Sequence, residues 1–397
     1  MSAYNRRFYV LLLLKYYIFK LKLMKKLKID PITLSKLKDL FLIIILWIIS
    51  ARIVVMIFFL GSGKAFTDFA TQPKALALLT RDLTNVSLSG FIIGLITGLN
   101  ELFVIPKKFK NKPVLYIFVA KTLVYLVSMT IASLVTIYIY ECYYKNKSFL
   151  EYLFFIRRHF FSGTYLNIFS VGLLISIVVN LILFIRNKIG KGLLIPLLFG
   201  MYYNPRNEDR IFIFIDLKSS VEIAEKLEPK KYSKFLQDCF NDLEDIVIRH
   251  KGIIYQFVGD ECVITWKIKK KTEFNNPIRL FFAFQKLLLS RKQYYNKNYG
   301  LIPAFKGAIN SGIVSTAEVG GDLKSEIAFH GDVLNTTARI IELCKTYKED
   351  LLVTSQFLNR NAQIDNNIDI SLKGDTLLRG KNVKQRVYAI KKIEENI

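Results

Sequence analysis

The sequence predicts an α+β chain in two parts: four membrane-spanning helices, then a sandwich of helices on a sheet. Three observations predict it. Apolar residues make up 52% of the 397 and are unevenly spread, which suits membrane spans beside a water-soluble part. Basic residues gather before and between the long apolar runs, as they do in cytoplasmic segments of membrane proteins. The second half instead alternates short strand-forming runs with stretches of helical periodicity.

The first element is a basic segment over residues 1–38, expected to be cytoplasmic. Its run "FYVLLLL" is short, is followed by Lys15 and has no small-residue cleavage site after it. An amphipathic helix lying on the cytoplasmic membrane face is expected there. A four-span domain follows over 39–186, with apolar segments at about 40–60, 88–105, 114–138 and 165–185. Each approaches the roughly 20 residues that cross a bilayer core. The lysine-rich connector 106–112 and Arg186, Lys188 and Lys191 place both termini in the cytoplasm. The chain then reads as a multi-pass protein of the inner (plasma) membrane with its soluble domain in the cytoplasm. A formal net charge of +25, placed this way, suits membrane lipid headgroups as a partner and not nucleic acid. Arg52, Glu101 and Lys121 lie inside the spans. Glu101 and Lys121 fall toward the cytoplasmic side of adjacent spans and either pair or snorkel separately. Four scattered cysteines with no CxxC spacing do not read as a zinc site or a disulfide framework, and three histidines point away from a His-rich metal site.

Residues 187–206 read as a linker, since Gly190, Gly192, Pro196, Gly200 and Pro205 interrupt any long helix. The soluble domain covers 207–397. "RIFIFIDL" (210–217) is a buried strand leading to Asp216, followed by a helix from about Ser220 to His250. "GIIYQF" and "CVITWKI" form a hairpin that turns at Gly259-Asp260. Residues 277–292 are helical, and "PAFKGAINSGIVSTAEVG" reads as strands with turns. "EIAFHG" is a strand, 332–347 a helix, and "SLKGDTLLRGKNVKQRVYAI" a closing hairpin. This order predicts helices covering one face of a mainly antiparallel sheet.

Asp216 at a strand end and Asp260 at the tip of a neighbouring hairpin can converge. Two such carboxylates suit a hard divalent cation, which takes oxygen ligands and leaves positions open for phosphate. The run "DLKSSVE" after Asp216 enters a helix whose free N–H groups can hold phosphates. Asn335 and Arg339, four apart, share one helix face, where an arginine can neutralise charge developing on a phosphate. Taken singly, each motif also fits a plain structural role: a hairpin turn, or a solvated helix face.

Together "FIFIDLKSS", "YQFVGDECVITW", "FHGDVLNTTARI" and "LRGKNVKQRVYAI" resemble the class III nucleotidyl cyclases, the adenylate and guanylate cyclases, over about 207–392. The resemblance implies a ferredoxin-like catalytic domain. It implies two Mg²⁺ or Mn²⁺ ions per site, held by Asp216, Asp260 and the Leu217 carbonyl. It implies that Asn335 orients the ribose, Arg339 stabilises the transition state, and Ser219 and Ser220 contact the nucleotide. Arg379 stands where the family commonly has a phosphate-binding lysine. The family's sites form across a homodimer interface, so two equivalent sites are implied.

The base-selecting positions depart from the family's patterns. Gln256 stands where adenylate cyclases often carry lysine, and Ala328 where they often carry Asp or Thr. Guanylate cyclases favour Glu and Cys there. ATP is the expected substrate and adenylate cyclase the expected activity, with GTP possible. The alternatives are a guanylate cyclase, or a membrane receptor whose cyclase-like domain is inactive. A diguanylate cyclase is disfavoured because Val258 and Cys262 break its Gly-Gly-Asp-Glu-Phe turn, and a transporter because no internal repeat is visible.

Overall fold

The computed structural model describes residues 30–61, 73–105, 112–160, 163–189, 194–269, 272–321, 323–361 and 364–393. The chain divides into two compact units, one over Thr33–Lys188 and one that takes in Ile189–Ile397.

In the first unit, helices α1 (Pro31–Gly61), α2 (Pro73–Leu99), α3 (Val114–Tyr138), α4 (Phe149–Phe160) and α5 (Gly163–Ile189) follow one another. Four stretches are long and apolar enough to cross a membrane: Pro31–Ile57, Leu83–Val104, Val114–Tyr138 and Phe169–Arg186. They overlap the four expected runs, the first beginning nine residues earlier than expected. The expected surface helix before α1, and most of the lysine-rich connector, lie outside the described residues. The 12-residue helix α4 adds to the expected elements; it is too short to span a bilayer.

Two features hold this unit together. Gly90 and Gly94 let α2 lie directly against α1: a Cβ on them would stand 2.8 Å from Ile48 Cα and 2.6 Å from Ile44 Cα. Small residues spaced four apart do this in lipid, where backbone proximity replaces hydrophobic drive. The second feature is polar. The chain widens into a π turn over Asn100–Val104, which carries Glu101. Lys121 Nζ sits 2.8 Å from Glu101 Oε1, and both side chains are more than nine-tenths buried. Pairing is therefore the arrangement adopted, since an isolated charge at that depth is costly.

The second unit is built on an eight-stranded sheet. After the short α6 (Leu194–Leu198) come β1 (Arg206–Leu217), α7 (Ser220–Arg249), β2 (Ile253–Val258), β3 (Glu261–Lys267), α8 (Asn276–Ser290) and α9 (Lys292–Tyr299). The chain continues through β4 (Phe305–Gly321), β5 (Lys324–His330), α10 (Asp332–Tyr347), β6 (Leu351–Thr354), α11 (Ser355–Leu358), β7 (Ile368–Thr376) and β8 (Gln385–Lys392). The strand order is β2-β3-β1-β4-β6-β8-β7, with β5 paired to β4. Among the described strands, the β4–β6 pair alone is parallel.

The expectation of helices on one face is corrected here. Ile211, Ile213 and Ile215 of β1 pack with Phe235 and Leu243 of α7 and Phe281 and Phe284 of α8. Phe212 and Phe214, pointing the other way, pack with Val333, Ile340 and Ile341 of α10. A strand with apolar residues at every position has two faces to bury, and "IFIFI" is such a strand. The expected strands with turns over 303–320 are also corrected, to one 17-residue strand, β4. Strand β6 is a further addition to the expected order.

Removing one partner of a buried ion pair strands the other charge, at about 3 kcal/mol. Lys121→Glu is expected to lower the Tm of the detergent-solubilised protein, and adding Glu101→Lys to restore most of it. A double variant no more stable than Lys121→Glu alone would show that the pair carries no specific energy.

Candidate active site

Asp216 is placed by β1, whose central position and double-sided burial fix it. The antiparallel registers set Glu261 of β3 on one side of Asp216 and Lys306 of β4 on the other. Asp260 is placed by the β2–β3 turn. Gly259 there adopts φ +61°, and a Cβ at this position would meet no atom within 4 Å, so the glycine serves the turn's left-handed backbone and not close packing. The expected convergence of the two aspartates is observed. Burial pushes the Asp216 carboxyl above its usual range, and the nearby Asp260 carboxylate adds to this, outweighing Lys306. Glu261 is pushed up to about 7, first by burial and then by Asp216 and Asp260. Tyr232 of α7 also feels both aspartates.

Lys306 Nζ stands 3.0 Å from Asp216 Oδ2. The Asp260 Oδ2 atom is buried and has no hydrogen-bond partner. A buried carboxylate oxygen without a donor is costly, and a cation is the natural partner for it beside a second carboxylate. Among the described residues no group of three or more His, Cys, Asp or Glu side chains gathers to hold a metal. The two carboxylates form an all-oxygen donor set, incomplete without outside oxygens. That set fits Mg²⁺ or Mn²⁺ shared with a phosphate-bearing ligand.

The other expected residues fall into separate places. Leu217 is buried and pairs with Phe305. Ser219 adopts φ +52° at the N-cap of α7 without a side-chain cap bond, and Ser220 begins the helix. That leaves the first turn's N–H groups uncapped by side chains. Gln256 is exposed on β2 and Ala328 is buried on β5. Their chain neighbours meet: the Tyr255 and Phe329 rings lie 4.7 Å apart, and the Phe329 N–H donates to the Tyr255 hydroxyl. Asn335 is exposed and Arg339 half-buried on α10, whose buried side is Val333, Thr336, Thr337, Ile340, Ile341 and Cys344. The Arg339 guanidinium lies beside Gly380 in the β7–β8 connection, where Arg379 is exposed. Among the described residues no hydrogen bond or ion pair joins Asp216 or Asp260 to Asn335 or Arg339.

Three residues near the site are not picked out by the sequence. Lys306, Glu261 and Lys381, which donates to Asp332 and Thr336 at the start of α10, owe their places to strand register and loop return. Glu261 alone has a local signal, its position directly after Asp260.

The candidate site thus has two parts, the Asp216 and Asp260 carboxylates where β1 ends and β2 turns into β3, and helix α10 with Asn335 and Arg339. Residues 202–392 match the family described as the adenylate and guanylate cyclase catalytic domain. Adenylate cyclase 2 of Rhizobium meliloti (strain 1021) is 33% identical over 195 residues, 49% of this chain and 53% of that protein. The chain thus spans about half the length of that relative. The adenylyl cyclase CyaB from P. aeruginosa is 16% identical, covering 49% of this chain and 99% of that one, with a TM-score of 0.42. The guanylate cyclase domain of RhGC from Catenaria anguillulae, solved with GTP, is 14% identical over 48% of this chain and 100% of that one, with a TM-score of 0.40.

Lys306 competes with any cation for Asp216. Lys306→Met is expected to lower the Mn²⁺ concentration that half-saturates the thermal shift at pH 8, and Asp260→Ala to abolish that shift. Unchanged or weaker Mn²⁺ binding in Lys306→Met would show that the ammonium supports the site instead.

Proposed function

We propose that the protein is a membrane-bound adenylate cyclase that converts ATP to 3′,5′-cyclic AMP and pyrophosphate at sites shared by two copies of the chain. The observation that carries this reading is the buried, unpartnered Asp260 Oδ2 beside Asp216 in a domain of this family. Asp216, Asp260 and the Leu217 carbonyl would hold two Mg²⁺ or Mn²⁺ ions. When bound, such ions make the ribose 3′-hydroxyl more acidic and neutralise the triphosphate.

The reaction forms a bond from the 3′-oxygen to the α-phosphorus and breaks the bond from that phosphorus to the bridging oxygen. The hydroxyl proton leaves to solvent and pyrophosphate departs. No protein nucleophile is required. Asn335 orients the ribose, and Arg339 offsets the charge that builds on the α-phosphate. Arg379 and the uncapped first turn of α7 at Ser219 and Ser220 hold the outer phosphates. Asn335 and Arg339 face away from their own sheet and make no bond to Asp216 or Asp260 among the described residues, which supports a site completed by a second copy. The Rhizobium meliloti relative's name supports ATP. The Gln256 amide both donates and accepts, so GTP is the second reading.

The four apolar helices support a multi-pass protein of the inner membrane, with the catalytic domain cytoplasmic on the distribution of basic residues. The domain limits proposed are a basic segment to 38, the membrane domain to 186, a linker to 206 and the catalytic domain beyond.

The test is cyclic nucleotide formation by the purified full-length protein, with ATP or GTP and Mn²⁺ or Mg²⁺. Cyclic AMP is expected, and Asp260→Ala and Arg339→Ala are each expected to lower kcat by about 10²–10³-fold. Product from neither nucleotide, in a protein shown to be folded, would overturn the reading in favour of an inactive receptor domain. Co-expression of Asp260→Ala with Arg339→Ala is expected to restore activity to about a quarter of the sites, one intact site per mixed dimer. No recovery would place both residue sets in one chain's site.

A further inference from the structure

The end of β1 remote from Asp216 carries a buried polar cluster that the chemistry above does not use. Glu208 is 6% exposed and accepts from four donors. The Tyr202 hydroxyl donates to Oε1 at 3.1 Å, and Lys267 pairs with the same oxygen. Arg210 donates to Oε2 through Nε at 2.8 Å and Nη2 at 2.7 Å, and the Thr316 hydroxyl donates to it at 3.3 Å. Four donor residues fill what a carboxylate can accept.

Tyr202 belongs to the segment that precedes β1. It is buried, its carbonyl accepts from the Glu318 N–H of β4 at 2.9 Å, and it packs on Ile327 of β5 and on Ile189, the last residue of α5. Arg210 is 3% exposed, and its remaining nitrogen, Nη1, has no partner. Its guanidinium lies 4.3 Å from the centre of the Phe329 ring. Phe329 is held in turn by Phe212 and Tyr255. β5 pairs with β4 alone, so ring packing sets much of its position.

We propose that Tyr202 is a positioning residue: through Glu208 and Arg210 it fixes Phe329, and so ties the segment leaving the last membrane helix to Gln256 and Ala328, the neighbours of Tyr255 and Phe329. A shift of that segment loosens the Glu208 cluster, frees Arg210 and moves β5 against β2. The distant Asp216 and Asp260 pair is left in place. This rests on the reading of Gln256 and Ala328 as the base-selecting positions.

The full-length protein with Tyr202→Phe, which removes one hydroxyl, and with Tyr202→Ala, which removes the anchor, tests it. Losing a hydrogen bond to a charged acceptor is expected to speed amide exchange across Glu326–His330 by about tenfold. The Mn²⁺-induced thermal shift should be unchanged. KM for nucleotide should rise and the ATP/GTP ratio of kcat/KM should change, more in Tyr202→Ala than in Tyr202→Phe, with a smaller effect on kcat. Unchanged exchange in β5 with Tyr202→Ala would overturn the proposal. So would faster exchange with KM and base ratio both unaltered, or a fall in kcat alone. If the unmodified protein makes no cyclic nucleotide, the activity reading fails. Exchange in β5 and the affinities for ATP and GTP, measured by binding, then still decide the role of Tyr202.

Discussion

Two carboxylates that repel each other stand side by side at one edge of a buried sheet, and much of the catalytic unit serves to keep them there. Burial pushes the Asp216 carboxyl above its usual range, and the Asp260 carboxylate adds to that. A flexible loop would relieve such repulsion by moving apart. Here the backbone of each residue is held by the fold. Asp216 ends a strand bonded on both sides along its length, and Asp260 is locked into a tight turn by the left-handed backbone of Gly259. Lys306, one strand away, offsets part of the charge. The buried Asp260 Oδ2 is left without a partner by this arrangement, which is the feature the proposed cation site rests on.

The same strand is loaded at its other end. Between Arg210 and Asp216, β1 is apolar on both faces, and its polar groups lie toward the two ends. The Glu208 carboxylate is satisfied within the fold, whereas the Asp260 oxygen is left open. The contrast separates structural from functional polarity: a closed cluster fixes position, and an open one awaits a ligand.

The legibility of the sequence follows the locality of the signal. α10 is readable to the residue because its apolar spacing is helical throughout, and the Gly-Asp turn is readable because two strand-forming runs flank it. Asp216, Asp260, Asn335 and Arg339 can be named from short motifs. β4 misleads because Asn310-Ser311-Gly312 looks like a turn. In the fold Asn310 is buried, with its amide donating to the Val333 carbonyl and its oxygen accepting from Thr354. Gly312 is there because a Cβ would meet Val333 at 2.7 Å, so the glycine admits α10 and does not bend the strand. β6, four residues long, has no alternation to read and exists only through its partners β4 and β8. Lys306 and the Glu208 cluster are invisible for the same reason: they are products of register between strands far apart in sequence. Glu101 and Lys121 can be flagged by their cost in lipid, but only the fold chooses pairing over snorkelling.

The placement of Asn335 and Arg339 completes the physical picture. A helix that packs through Val333, Thr336, Thr337, Ile340, Ile341 and Cys344 must turn the intervening positions outward, and Asn335 and Arg339 are two of them. They cannot turn toward Asp216 without unburying the apolar stripe that holds α10 to the sheet. Burial of that stripe is worth several kcal/mol, more than one polar contact could return. The two halves of the chemistry are therefore kept apart within a chain by the same packing that makes the domain stable. On the reading proposed here, a second copy related by a two-fold axis is what would present each half to the other without disturbing either core, giving two equivalent sites by symmetry.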